Sequence, residues 1–383
     1  MEKEIVSKTS KKIVHIFPLS HFLNSYITFI KKNFDISEHH FIIIGTPSEK
    51  TPLSSEFTDV AYTILPYGTK NIFNNFFSIE LTKILSHARN IILHSYSVSA
   101  HIESIFFFRP LMLRKSVWVI WGGDAHDSAV SPTLINKLLL NVKKHQVKSI
   151  PYVVACKPDF RLIQQRYRIT PKMINLNNAY TNDIGINNRC NLTTDKKTVN
   201  IIIGSDALPS NRHRKIIDLC TKYKDEDIQF YMPLPRNKTY LDISEYIDSV
   251  ESYAKSVLGD KITIFSEVIE KETYHNLLRN MDIGIYNSNI QQGVGTITTM
   301  LSSGAKIYLD STMPLWEIFS DLGFSLHPTA DIEYESFSEF VRNEIQEMSK
   351  NKDTALTQFG NDMRVEQWNK IFNLNPESDT RNK

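Results

Sequence analysis

MDIGIYNSNIQQGVGTITTMLSSGAKIYLD, residues 281–310, decides how this chain folds. Ile283, Ile285 and Tyr286 read as a buried strand, followed by a loop carrying Gln291, Gln292, Gly293 and Gly295. A helix is expected from about Thr296 to Gly304, and an apolar strand over 306–309 follows at once. The unit is β-loop-α-β, and its glycine-bearing loop delivers the chain to a helix N-terminus. Unpaired backbone N–H groups there, reinforced by the helix dipole, attract an anion such as a diphosphate. Glycine permits the close approach that a side chain would block. Plain α/β packing produces the same pattern, so the rest of the chain has to separate the two readings.

At 383 residues the chain is long for one core and suits two domains. Its 41% hydrophobic and 22% charged content is that of a globular protein in water, and no run approaches the ~20 apolar residues that span a bilayer. The polar start MEKEIVSKTSKK lacks the apolar core of a signal peptide, so a cytoplasmic protein is expected. Cys156, Cys190 and Cys220 are scattered without CxxC spacing, which argues against bridges and metal ligation. The net charge of +2 conceals an asymmetry: residues 1–190 carry +10 and the remainder −8. A basic first half suits an anionic surface, and a membrane is the better candidate because no base-reading motif accompanies the charge. A solvated face without function is the competing explanation.

Both halves repeat one grammar. Strands at 12–17, 40–44, 61–65, 90–93, 116–120 and 152–155 alternate with helical stretches, including one expected over 73–89 and a basic one over 134–148. The segment 181–198, rich in Asn, Thr and charge, reads as a linker. Strands at 199–203, 228–232 and 262–265 then alternate with helices over 211–223, 240–258 and 271–280, and further helices are expected at 337–350 and 358–372. The fold class is α/β, with two Rossmann-like doubly wound domains: 1–185, then 199–355, with 356–383 as a terminal helix and tail.

Ligands of such sheets sit outside the carboxyl ends of the strands. In the first half those positions hold His21, His94 and, in the tetrad WGGD, Asp124. Either residue type can take a proton from an attacking hydroxyl, though an aspartate there can also simply cap a helix. In the second half GSDALPSNRHRK supplies a second loop into a helix. Ser205, Ser210 and Asn211 are donors or caps there, and Arg212 and Lys215 bring positive charge. There is no GxxxxGK[ST], no metal-ligand spacing and no GxSxG, so neither a P-loop, a metal nor another cofactor is expected.

WGGD, IIIGSDALPSNRH, YMPLP, YHNLLRNMDIGIY and IQQGVGTITTMLSSGAKIYL, in that order and spacing, resemble the bacterial TDP-4-acetamido-4,6-dideoxygalactose (TDP-Fuc4NAc) transferases, glycosyltransferase family 56. The resemblance implies a GT-B fold, in which two Rossmann-like domains face each other across a cleft. It implies a metal-independent transferase that moves a sugar from TDP to a polyprenyl-diphosphate-linked saccharide. That chemistry serves enterobacterial common antigen or O-antigen on the cytoplasmic face of the inner membrane, where the basic first domain would meet the lipid. Residue by residue, it puts Ser205, Asn211, Gln291, Gln292, Gly293, Gly295 and Thr296 near the diphosphate, with Arg212 or Lys215 as cations. Tyr240 falls near the donor and Glu267 near the nucleotide base, with Asp124, His94 or His21 as the base in catalysis. Thr299 occupies the position where many GT-B enzymes carry a glutamate that bridges the ribose hydroxyls, and a deoxyribose needs no such bridge. Another TDP- or UDP-sugar transferase, or a non-catalytic sugar-nucleotide binder, are the alternatives.

Overall fold

The structure, a computed structural model, describes residues 11–48, 52–97, 100–126, 133–176, 179–180, 198–236 and 243–376. The chain divides into two compact units, Met1–Thr181 with Arg364–Lys383, and Asn182–Met363.

The first unit carries β1 (Ile13–Pro18), β2 (His39–Ile44), β3 (Tyr62–Leu65), β4 (Asn90–His94), β5 (Ser116–Val119), β6 (Tyr152–Val154) and β7 (Lys172–Ile174). They lie in the order β3-β2-β1-β4-β5-β6-β7, every neighbouring pair parallel. Runs such as FIII in β2 and IILH in β4 lack polar alternation because helices cover both faces of a parallel sheet. The strand order reverses between β1 and β4, so the crevice of this unit lies beyond Pro18 and His94.

The second unit repeats the plan with β8 (Val199–Ile203), β9 (Ile228–Pro233), β10 (Ile262–Phe265), β11 (Ile283–Tyr286), β12 (Lys306–Leu309) and β13 (His327–Pro328). Their order is β10-β9-β8-β11-β12-β13, again parallel. Its reversal point falls between β8 and β11, the two strands that feed the loops singled out from sequence.

Several elements depart from expectation for local reasons. The helix expected over 73–89 is two, Thr69–Phe77 and Ile79–His87, because Ser78 starts afresh as a cap whose Oγ accepts the Leu81 N–H at 3.1 Å. The helix expected over 211–223 is His213–Cys220; Arg212, in the left-handed region at φ 53°, separates it from a single turn at Pro209–Asn211. That over 337–350 divides into Phe337–Val341 and Ile345–Phe359. β7 and β13, three and two residues long, are too short to show a period. The closing helix Asn361–Phe372 buries Trp368, Ile371 and Phe372 in the first unit's core. Asn90 of β4 ties it down, its Nδ2 donating to the carbonyls of Phe372 and Leu374 at 2.9 Å each.

Candidate functional site

In the second unit two loops leave the carboxyl ends of β8 and β11 and are bonded into one wall. Asp206 is the hub: its Oδ1 accepts from Leu208 N–H (2.8 Å), Asn211 Nδ2 (2.8 Å) and Gln292 Nε2 (3.1 Å). Gln292 closes the latch by accepting the Ser210 hydroxyl at 2.6 Å, and the Asn289 N–H donates to the Ser210 carbonyl at 3.2 Å. Gly293, at φ 76°, packs so tightly on the other loop that a Cβ would stand 2.8 Å from Ser205 Oγ. Gly293 is the N-cap of the helix Val294–Ser302, and no side chain caps that helix. The first-turn amides are therefore available to an anion.

The expected donor residues sort by burial. Gly293, Val294, Gly295 and Thr296 form the helix start, with Thr296 Oγ1 at 3.4 Å from the Tyr274 hydroxyl. Ser205 and Gln291 are part-buried beside it. Lys215 is 55% exposed at its side chain and 3.2 Å from Asp310 Oδ2, beyond the end of β12; Arg212 is part-buried in the same loop. Asn211 instead holds its own loop: it is 1% exposed, and its Oδ1 accepts from the Ser205 N–H (3.1 Å) and hydroxyl (3.3 Å). Gln292 likewise joins the loops. Thr299 is buried, with its hydroxyl on the Gly295 carbonyl one turn back at 2.9 Å. Glu267 is exposed beyond β10, and Tyr240 lies outside the described residues. Asp206, the residue that organises the loops, was passed over in sequence although it stands inside GSDALPSNRH; an aspartate two residues before a backbone N–H in a turn is the signal that marks it.

In the first unit Asp124 is 1% exposed and both its carboxylate oxygens are engaged. Oδ2 accepts from the Tyr96 N–H (2.9 Å) and Trp118 Nε1 (2.8 Å), and Oδ1 from the Trp121 N–H (2.8 Å). Fully buried Lys143 donates to the Asp124 carbonyl at 2.9 Å and lies over the rings of Trp118 and Tyr167. Three bonds fasten the WGGD turn to the sheet and leave one lone pair, on Oδ1, for the proton a base would take. His21 opens the helix His21–Asn33, and its side chain lies outside the described residues.

His94, the last residue of β4, is fully buried at the reversal point. Its Nδ1 is 2.8 Å from the Tyr180 hydroxyl, which also accepts the Trp121 indole N–H at 2.5 Å. Its Nε2 is 3.0 Å from His15 Nδ1, and His15 Nε2 is 2.9 Å from His39 Nδ1. Burial drives both His94 and His15 well below the usual imidazole range. Phe22 stacks on Tyr180 at 5.2 Å and meets Trp121 edge-on at 5.5 Å, so an aromatic group frames this edge of the sheet. Tyr180, His15 and His39 were not anticipated; a histidine in the middle of an otherwise apolar strand, as in KIVHIF, is the trace they leave in sequence.

A family model described as 4-alpha-L-fucosyltransferase glycosyl transferase group 56 matches residues 69–375. Among solved structures, a glycosyltransferase from Rickettsia africae ESF-5 is 16% identical with a TM-score of 0.66, covering 95% of this chain and 98% of that one. Anabaena Alr3699/HepE in complex with UDP and glucose is 11% identical with a TM-score of 0.63, covering 95% and 100%. The alpha,alpha-trehalose 6-phosphate synthase of Burkholderia multivorans is 9% identical with a TM-score of 0.59, covering 97% of each. These neighbours share the architecture of two parallel-sheet α/β units known as GT-B.

Proposed function

The chain belongs to glycosyl transferase group 56, and from that premise we propose that this glycosyltransferase moves a deoxy-amino sugar of the Fuc4NAc kind from TDP to a polyprenyl-diphosphate-linked saccharide. The observation that carries the donor half is the uncapped helix start at Gly293, locked against Ser205 at the reversal point of the second sheet. A nucleoside diphosphate laid there meets backbone amides and the positive end of a helix dipole, with Arg212 and Lys215 close by in sequence, so the leaving group is stabilised without a metal. Thr299 supports TDP over UDP: it is short, buried and bonded within its helix, so it offers no carboxylate to a ribose 2′-hydroxyl.

The first unit takes the acceptor and meets the inner face of the inner membrane in this reading. Phe73, Phe77, Phe107 and Phe108 are each at least half exposed and form one cluster around Phe76, with Phe77 and Phe108 centroids 5.5 Å apart. Buried Arg109 holds the helices beneath them together, donating to the carbonyls of Asn75 (2.9 Å), Ile105 (2.8 Å) and Ser78 (2.7 Å). Apolar rings on a frame with a basic surplus suit an anionic lipid surface. Enterobacterial common antigen or O-antigen assembly is the pathway this combination fits. Competition binding with TDP and UDP, followed by transfer assays from a panel of TDP-sugars, tests the donor assignment. TDP should bind at least as tightly as UDP; clearly tighter UDP binding overturns it.

A further inference from the structure

Three imidazoles cross the first sheet in single file, from His94 at the carboxyl end of β4, through His15 in the middle of β1, to His39 at the amino end of β2. The two N···N contacts, 3.0 and 2.9 Å, each need one proton between the nitrogens. Burial keeps His15 and His94 neutral at pH 7 and holds His39 down to about 4. A neutral imidazole has one N–H, so a His15 that donates to one neighbour must accept from the other. Both bonds therefore run in the same direction, and the file has two states of opposite polarity.

Among the described residues, the side chains packed around the file are aromatic rings. Rings of Tyr26, Phe41 and Phe372 pack on His15, and those of Phe17, Tyr26 and Trp368 on His94. At His39 the Phe372 ring continues this sheath beside that of Phe34, Arg89 and Asp35 flank the imidazole, and His40 and Lys12 lie on the same edge. The nearby Arg89 guanidinium disfavours a resting charge on His39. At the carboxyl edge the file ends on the part-exposed pair Tyr180 and Trp121.

We propose that His94, His15 and His39 are a proton relay that accepts the acceptor-hydroxyl proton through Tyr180 and releases one to water at the opposite edge of the sheet. It rests on the reading that the first unit holds the acceptor. As the acceptor oxygen bonds to the anomeric carbon, the sugar–phosphate bond breaks and its electron pair leaves with the nucleoside diphosphate. The acceptor proton passes to the Tyr180 oxygen while the Tyr180 proton moves to His94 Nδ1. The proton on His94 Nε2 moves to His15 Nδ1, that on His15 Nε2 to His39 Nδ1, and that on His39 Nε2 to water. Once product has left and water reaches Tyr180, the same shifts run backwards and restore the first polarity. No ring has to turn, which suits side chains packed this closely.

The test compares wild type with His39→Gln, which can hydrogen-bond but cannot pass a proton. Transfer is measured in H2O/D2O mixtures, and imidazole 15N spectra are recorded on the folded protein without substrate. The relay predicts a kcat at least about tenfold lower in the variant with donor KM within about twofold, and a rate that curves with deuterium content in wild type but is linear in the variant. The spectra should show His15, His39 and His94 neutral at pH 7 with the proton on the same ring nitrogen. Opposite tautomers at His15 and His94, or an unaltered kcat in a His39→Gln protein that melts like wild type, overturns it. If wild type transfers nothing to a lipid-linked acceptor, the acceptor reading fails, while the tautomers still decide the relay.

Discussion

Replacing Asp124 by asparagine separates a strut from a base. The carboxylate accepts three hydrogen bonds in a site that is 1% exposed, two on Oδ2 and one on Oδ1. An amide that keeps its oxygen toward Tyr96 and Trp118 turns its NH2 onto the Trp121 N–H. One charge-assisted bond is lost, about 1.5–3 kcal/mol, and a buried donor is stranded, about 1–3 kcal/mol more. The total is about 3–5 kcal/mol, before any effect on buried Lys143, which the Asp124 carbonyl and the neighbouring rings hold. For a unit of about 200 residues, at about 2–4 °C per kcal/mol, the melting transition of the first unit should fall by ~10 °C. Calorimetry with and without TDP measures this, and the stabilisation conferred by TDP on the second unit should be unchanged. A variant that melts within about 2 °C of wild type yet has lost transfer would refute the reasoning and return Asp124 to the chemistry.

Gly293→Ala forces a Cβ to 2.8 Å from Ser205 Oγ at φ 76°, a conformation that costs a non-glycine residue about 1–2 kcal/mol; calorimetric titration should show TDP binding weakened about tenfold or more, with the melting temperature of the second unit lowered by about 2–8 °C. Acid should destabilise the protein. His39 and His40 fall from 6.5 to about 4 on folding, chiefly through burial, so the stability they contribute is complete above pH 6.5 and is lost as pH drops toward 4. Asp159, raised to about 6 mainly by burial, acts in the opposite sense, since its cost is present above pH 6 and is relieved toward pH 4. With His15 and His94 also held neutral, histidines prevail, and urea midpoints should decline from pH 7 to pH 5; a flat profile would contradict the assignment. Changing Phe77 and Phe108 together to serine should cut co-sedimentation with anionic vesicles severalfold while leaving the melting temperature within about 2 °C; equal sedimentation would remove the patch from membrane contact.

Much of the architecture was legible because strands buried on both faces have no polar alternation to blur them: IVHIF, FIII, NIILH and NIII announce β1, β2, β4 and β8 directly. The site loops were legible for a different reason. Glycine and turn residues cluster where the chain leaves β8 and β11, and positive φ at Gly204 and Gly293 explains the choice. Side-chain roles were harder to read, because they depend on contacts distant in sequence. Gln292, expected near the diphosphate, also bonds Asp206 and Ser210, 86 and 82 positions away, which no local pattern shows. Asp124 reads as a base from WGGD at a strand end, whereas its partners Tyr96 and Trp118 are set by the pairing of β4 with β5 and leave no local trace. The His94–His15–His39 file arises only when β2, β1 and β4 become neighbours.

The helix that carries Trp368 and Phe372 also sets a timetable. It covers the histidine file, with Trp368 5.7 Å from the His94 ring and Phe372 5.0 Å from that of His39. A ribosome adding about 5–20 residues per second delivers Trp368 roughly 10–40 s after Tyr180. Throughout that interval the helix His21–Asn33 covers only part of this face of the first sheet, with Leu23, Tyr26 and Ile27 in the core that Trp368, Ile371 and Phe372 complete, while every residue of the second unit is made before the closing helix is finished. The half synthesised first is thus the half finished last, because its core closes only when the last helix of the chain arrives.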